Sequence, residues 1–314
     1  MDKITIGISS CLLGEKVRYD GGHKHDRYIT DTLGQFFDYV PVCPEVEYGL
    51  PIPREAMHLA GDVDNPRLVT VRTGVDHTEG MKKWAENKLE ELAPQKLSGY
   101  IFKSKSPSSG MRGVKVYAGS APPVHRGVGI FAAAFMKRFA LIPVEDEGRL
   151  HDPGLRENFI ERVFAFARWR EFAEKKGSVK DLVEFHGRHK LLIMAHSPKH
   201  LSVLGKLVAG KQGFGPDVRN LYIETLMEGL RLIATIRKNT NVLHHIMGYF
   251  KNNLSGGEKK ELLEIIDRYH RGLIPLVVPV TLLNHYVLNY DEPYLKGQYY
   301  LNPHPVELML RNHV

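Results

Sequence analysis

The chain has 314 residues, 43% of them apolar, and a formal net charge of +7, which is enough for two ordinary globular domains with their own cores. No run approaches the roughly 18 apolar residues that a membrane helix needs, and Met1-Asp2-Lys3-Ile4 opens no secretory pattern, so membrane insertion and secretion are not expected. Two cysteines, Cys11 and Cys43, make no disulfide framework and suit a reducing cytoplasm.

In the first half, strands alternate with helices. Ile4 to Ser9 reads as a strand ending in a polar turn that carries Cys11, and a helical stretch follows around Asp26 to Phe37. Tyr39 to Val42 is a second strand and delivers Cys43. Arg67 to Val71 reads as a peripheral hairpin, and Thr78 to Leu92 has the apolar spacing and Lys/Glu pairs of a surface helix. Tyr100-Ile101-Phe102 is a third strand, leading into the serine-rich "KSKSPSSG" of residues 103–110. A tight turn through Gly127 and Gly129 opens a helix that reaches Phe139, and Ala140 to Val144 is a fourth strand.

This alternation predicts a Rossmann-like, three-layer α/β domain on a mostly parallel sheet over residues 1–150. Loops leaving the carboxyl ends of such strands converge on one crevice. Cys11, Cys43 and the Ser106–Ser109 loop each follow a different strand and are expected to meet there. A lone cysteine is often just a small buried hydrophobe, but two at corresponding strand ends weaken that reading. Glu45, two residues past Cys43, points to the same space or is an ordinary helix-start acid.

From Asp152 onward the spacing becomes helical, with helices expected at 155–174, 178–194, 198–208, 218–238, 240–250, 256–271 and 275–287, an all-α domain over residues 151–314. Ser255 reads as a helix cap. Residues 175–314 hold 19 Lys and Arg against 12 Asp and Glu, whereas the first 174 hold 24 of each, so the whole positive excess lies in the second half. That asymmetry suits a catalytic module joined to one that grips nucleic acid, or a solvated basic surface. On the helix from Leu182, His186, His189 and Lys190 share a side to which His196 returns, with Lys199 beyond it. Such a stripe offers phosphate contacts, a buried polar network or a metal site.

Three segments carry a family resemblance. "ISSCLLGEKVRYDGG" (8–22), "PVCPEVEYGLPIPREAMHL" (41–59) and "KSKSPSSG" resemble the motifs of the thiouracil desulfidase family over roughly residues 1–148. In the second half "LVEFHGRHKLLIMAHSPKHLSVLGKLVA" (182–209), "NTNVLHHIMGYF" (239–250), "IDRYHRGLIPLVVPVTLLNHYV" (266–287) and "YLKGQYYL" (294–301) resemble the YbgA-type domain. Fused in this order, the two are similar to bacterial tRNA 4-thiouridine desulfidases of the RudS type. The resemblance implies a [4Fe-4S] cluster held by one cysteine from each motif, with Cys11 and Cys43 as metal ligands here, and an open iron as the catalytic centre. It implies Glu45 as the carboxylate that handles protons while water attacks, and Ser104 or Ser106 as the family's polar residue that orients substrate or water.

The third motif departs from the family. Cysteine precedes the glycine there, whereas this chain has Ser109. A hydroxyl is a harder donor than a thiol and far less acidic, so a weaker or absent cluster is expected. Two functions follow as expectations. One is a cytoplasmic enzyme that converts 4-thiouridine in tRNA to uridine, impaired at Ser109; the other is a catalytically inactive tRNA-binding protein. In both, tRNA is the partner and His186, His189, Lys190, His196 and Lys199 are the candidate RNA contacts.

Overall fold

The computed structural model describes residues 3–119, 121–175, 178–210 and 215–313, which separate into two units between Asp152 and Pro153. In the first unit β1 (Ile4–Ser9), β2 (Phe37–Val42), β5 (Tyr100–Phe102) and β8 (Val144–Asp146) form a parallel sheet in the order β2-β1-β5-β8. β1 lies between two partners, and Ile6 and Ile8 are wholly buried. Gly7 is required at its centre, because a Cβ there would sit 2.2 Å from the Tyr100 ring.

Two helices cover one face of this sheet. In α2 (Thr78–Leu92) the buried Met81, Ala85, Leu89 and Leu92 recur at helical spacing. Ala85, Leu89 and Leu92 pack with Phe131 and Phe135 of α3 (Ile130–Arg138) over Tyr100 and Phe102. The rings of Tyr100 and Phe135 are 4.6 Å apart, within the range where aromatic pairs add to simple burial.

A second four-stranded sheet was not foreseen. It joins β3 (Met57–Gly61), β4 (Pro66–Thr70), β6 (Val114–Tyr117) and β7 (Val124–Gly127) in the order β4-β3-β6-β7. The expected hairpin at Arg67 to Val71 is its β3–β4 edge, with β3 and β6 parallel at the centre. Leu59, Leu68, Val114 and Val116 anchor it against Met81 and Ile130.

The helical stretch expected around Asp26 to Phe37 is present as a π-helix (Tyr28–Thr32) and a 3-10 helix (Leu33–Gln35) that lead directly into β2. The Asp26 carboxylate takes the amides of Tyr28 and Ile29 at 3.0 and 3.3 Å, starting that turn. The fourth strand begins at Val144, not Ala140. Ile142 instead closes a turn onto the Phe139 carbonyl and packs against the helix-facing core.

The second unit is helical, from α4 (Pro153–Glu174), α5 (Val179–His196), α6 (Pro198–Ala209) and α7 (Pro216–Arg231) to α8 (Ile236–Met247), α9 (Gly256–His270), α10 (Val277–Asn289) and α11 (Pro293–Lys296). The single helix expected over 218–238 is broken between Arg231 and Ile236. Thr235 restarts it by accepting the Lys238 amide, a cap worth about 1 kcal/mol. Ser178 with Asp181, and Ser255 with Glu258, form complete capping boxes. Trp169 stacks on Tyr222 at 5.3 Å in the core. Among the described residues no helix is long and apolar enough to cross a membrane.

Candidate active site

Because β1, β2 and β5 run parallel side by side, the turns at their carboxyl ends emerge at one edge. β1 ends in a 3-10 turn that carries Cys11 and is closed by Gly14 in the left-handed region. β2 ends at Val42, and Cys43 follows it as the residue before the short helix α1 (Pro44–Glu47). β5 runs into the serine loop. One cleft of about 410 Å³ is lined by Cys11, Cys43, Glu45, Ser104, Ser106 and Ser109, so all six side chains singled out in the first half meet.

The serine loop is held by α3. Its Pro107 and Ser108 carbonyls accept from the amides of Ile130, Phe131 and Ala132, the orphan donors of the helix start. Gly129 allows this approach, since a Cβ there would lie 2.6 Å from the Ser108 carbonyl. Inside the loop, Ser106 Oγ accepts the amides of Ser108 and Ser109 at 3.3 and 3.1 Å, so its hydroxyl shapes the turn that presents Ser109. Ser104 belongs to a neighbouring anchor. Its hydroxyl donates to Glu147 at 2.7 Å, and the Lys103 ammonium binds both Glu147 and the Ser104 carbonyl.

Glu45 is held at both oxygens. Ser108 Oγ donates to Oε1 at 2.9 Å, while Arg54 Nε donates to Oε2 at 2.8 Å and its Nη2 reaches the same oxygen. Arg54 Nη2 also donates to the Val17 carbonyl at 2.9 Å, fixing the guanidinium. Sequence reasoning missed both Arg54 and Ser108. The available signal was a carboxylate expected inside a crevice, which requires a cation and a donor nearby.

The thiols are protected by their surroundings. Burial pushes Cys11 up to about 11, with the Lys103 charge pulling the other way and Cys43 adding to the rise. Burial likewise raises Cys43, whose Sγ lies 3.8 Å from the Val17 carbonyl and whose amide donates to Glu47 at 2.8 Å. Ser109 is buried on the same cleft. Two sulfurs and one hydroxyl thus face a common space: the sulfurs suit a soft iron centre, and the oxygen at 109 suits it in position and not in softness. Among the described residues no group of three or more His, Cys, Asp or Glu is placed to hold a metal ion.

The residues expected to contact RNA do not form one exposed stripe. His189 and His196 are buried, at 0% and 1% exposure, and are corrected to interior groups. His189 Nδ1 bonds the Phe185 carbonyl at 2.7 Å; His196 lies between Glu161 at 3.0 Å and the Leu232 carbonyl at 2.6 Å. Burial, aided by the Arg168 charge, brings His189 to about 3, and burial with Lys190 brings His186 to about 4. The half-buried His186 bonds the Tyr222 hydroxyl at 3.1 Å. Lys190 is partly exposed and Lys199 exposed, so these two alone keep a charged end at the surface. The physical reason is that α5 contacts α6, α7 and α8, which turns its histidine side inward.

Fold and cleft together define a two-unit protein with paired thiols and a clamped carboxylate at a parallel-sheet edge, followed by a helical unit. Residues 6–147 match the family model of 2-thiouracil desulfurase, and residues 190–305 that of a protein of unknown function, DUF1722. YbgA of Escherichia coli K12, itself uncharacterized, is 33% identical over 153 residues, covering 48% of this chain and 90% of YbgA. YbbK of Bacillus subtilis 168, also uncharacterized, is 34% identical over 109 residues, 33% of this chain and 71% of YbbK. The solved structure of TudS, a [4Fe-4S]-dependent thiouracil desulfidase, shares 33% identity over 48% of this chain and 95% of its own, with a TM-score of 0.39. The chain belongs to the YbbK and YbgA families, joining a 2-thiouracil desulfurase domain to a DUF1722 domain.

Proposed function

We propose that the chain removes sulfur from 4-thiouridine in tRNA, leaving uridine, and that it works in the cytoplasm. Cys11, Cys43, Ser109 and a doubly held Glu45 on one cleft carry the proposal. The 33% sequence identity to the [4Fe-4S]-dependent TudS supports a [4Fe-4S] cluster as the group held there, with Cys11 and Cys43 as thiolate ligands and Ser109 at the third position. When bound, the cluster supplies an open iron with affinity for a soft thiocarbonyl sulfur.

The chain's own residues do the rest. Glu45 takes a proton from water as its oxygen adds to the ring carbon, and returns one to the departing sulfur. Thiocarbonyl and water become carbonyl and hydrogen sulfide, with no net oxidation or reduction. Arg54 and Ser108 hold the carboxylate for this work. The positive excess in residues 175–314 supplies phosphate attraction for tRNA.

Ser109 favours a second reading, a tRNA-binding protein that has lost catalysis. Anaerobic reconstitution followed by incubation with thiolated tRNA separates the two. The desulfidase reading requires loss of near-ultraviolet thiouridine absorbance with the Ser109→Cys variant. Salt-sensitive tRNA binding without turnover in either form supports the second reading.

A further inference from the structure

The fold keeps one hydroxyl that it does not use. Tyr100 of β5 is 0% exposed and lies opposite Gly7 of β1. Its ring crosses that glycine, where a Cβ would sit 2.2 Å from Cδ2 and 2.5 Å from Cε2. Phe102, Phe131 and Phe135 pack around the ring, and Val42, the residue before Cys43, belongs to the same core. The hydroxyl at its end is buried with no hydrogen-bond partner among the described residues. An unpaired buried hydroxyl destabilises the protein that carries it, and phenylalanine would fill the same space without that cost.

This donor lies beneath the two turns that carry the thiols. Ser9 pairs with Val42 across β1 and β2, two residues before Cys11 and one before Cys43, and both Ser9 and Val42 line the cleft. Burial holds Tyr100 well above the ordinary 10.0, and the charges of Glu47, Cys43 and Cys11 add to the rise, so the hydroxyl keeps its proton at neutral pH. Ser9, whose Oγ accepts the Lys103 amide at 2.9 Å, acts on it weakly from outside hydrogen-bond geometry.

We infer, on the iron-sulfur reading of the cleft, that Tyr100 is a positioning residue whose hydroxyl donates to a sulfur of the cluster that Cys11 and Cys43 hold. The acceptor that the empty fold lacks arrives with the cluster, as thiolate or sulfide. Donation from behind the cleft draws charge from that sulfur, steadies its bond to iron and raises the reduction potential.

Tyr100→Phe tests this in the full chain, because it removes the hydroxyl and keeps the ring. In the metal-free protein the thermal midpoint is expected to hold or rise, since only an unpaired group is lost. In the reconstituted Ser109→Cys background the same change is expected to release iron to a chelator about tenfold faster, and to lower the reduction potential. Opposite effects on the empty and loaded forms are what a merely structural hydroxyl would not give. A metal-free midpoint that falls shows that the fold uses the hydroxyl, and iron release and potential that stay unchanged show that the cluster does not; either result overturns the role of Tyr100 alone. Failure of folded Ser109→Cys to take up iron overturns the iron-sulfur reading and this inference with it.

Discussion

Arg54 holds one oxygen of Glu45 through two nitrogens, with a side chain only 4% exposed, while the carboxylate's other oxygen is taken by Ser108. Removing Arg54 leaves the Glu45 carboxylate, 14% exposed on the cleft, without its cation, at a cost of about 1–3 kcal/mol. Arg54→Met is therefore expected to lower the thermal midpoint and to abolish turnover in a reconstituted Ser109→Cys background. Arg54→Lys should restore part of both, because an ammonium supplies charge without the two-nitrogen fork. Calorimetry and desulfidation rates on the same samples check the pair.

Glu45→Gln separates proton handling from architecture. The amide keeps the shape and can still face Ser108, so iron content in the Ser109→Cys background is expected to stay unchanged. Turnover should fall by about 10²-fold or more, the usual loss when a positioned acid–base group is removed. Iron analysis beside single-turnover kinetics reads both quantities.

Much of this site is written in the sequence as strand ends. Ile4 to Ser9 and Tyr39 to Val42 are short β-rich runs that stop at a cysteine, and the parallel rule then places both at one edge. Partners of Glu45 were hidden because Ser108 lies 63 residues away and meets it only once the serine loop docks on α3. The second sheet is hard to read from sequence because β6 has only four residues, two valines each followed by an outward side chain. Helical periodicity groups His186, His189 and His196 on a side, but packing alone decides that the side faces inward.

Thiol reactivity provides a pH test. With Cys11 raised to about 11, its alkylation in the metal-free chain is expected to be slow at neutral pH and to accelerate well above pH 9. Lys103→Met should slow it further, since the ammonium is the charge that favours the thiolate. Because the folded value exceeds the ordinary 9.0, this group favours the folded state below that pH and loses its contribution as pH climbs towards 11. Mass spectrometry of timed iodoacetamide reactions gives the profile.

Gly129→Ala probes the seat of the serine loop. The new methyl would meet the Ser108 carbonyl at 2.6 Å and the Gly110 amide nitrogen at 2.8 Å, both backbone atoms with little freedom to yield. A loss of about 1–3 kcal/mol is expected, the range for overpacking. Hydrogen exchange should quicken at the amides of Phe131 and Ala132, which donate to Ser108.

The helical unit contains a separate pH dependence. Burial and the neighbouring Glu161 charge push Glu157 up to about 8, whereas at Glu161 the His196 bond and Arg311 outweigh burial and bring it to about 2. From its ordinary value of 4.5, Glu157 therefore favours folding at low pH and loses that contribution as pH rises through about 8. Glu161 acts oppositely, and only below 4.5. Glu157→Gln is expected to be more stable relative to the parent at pH 8 than at pH 5, as read from denaturant midpoints.

The proposed function depends most on three turns offering donors to one soft centre. Iron and sulfide analysis after anaerobic reconstitution tests this directly in the parent chain, Ser109→Cys, and Ser109→Cys combined with Cys43→Ser. The expected order is little or labile iron in the parent, a full complement of four iron and four sulfide in Ser109→Cys, and loss again when Cys43 is removed. Iron retained without Cys43, or absent from a folded Ser109→Cys chain, would contradict that arrangement.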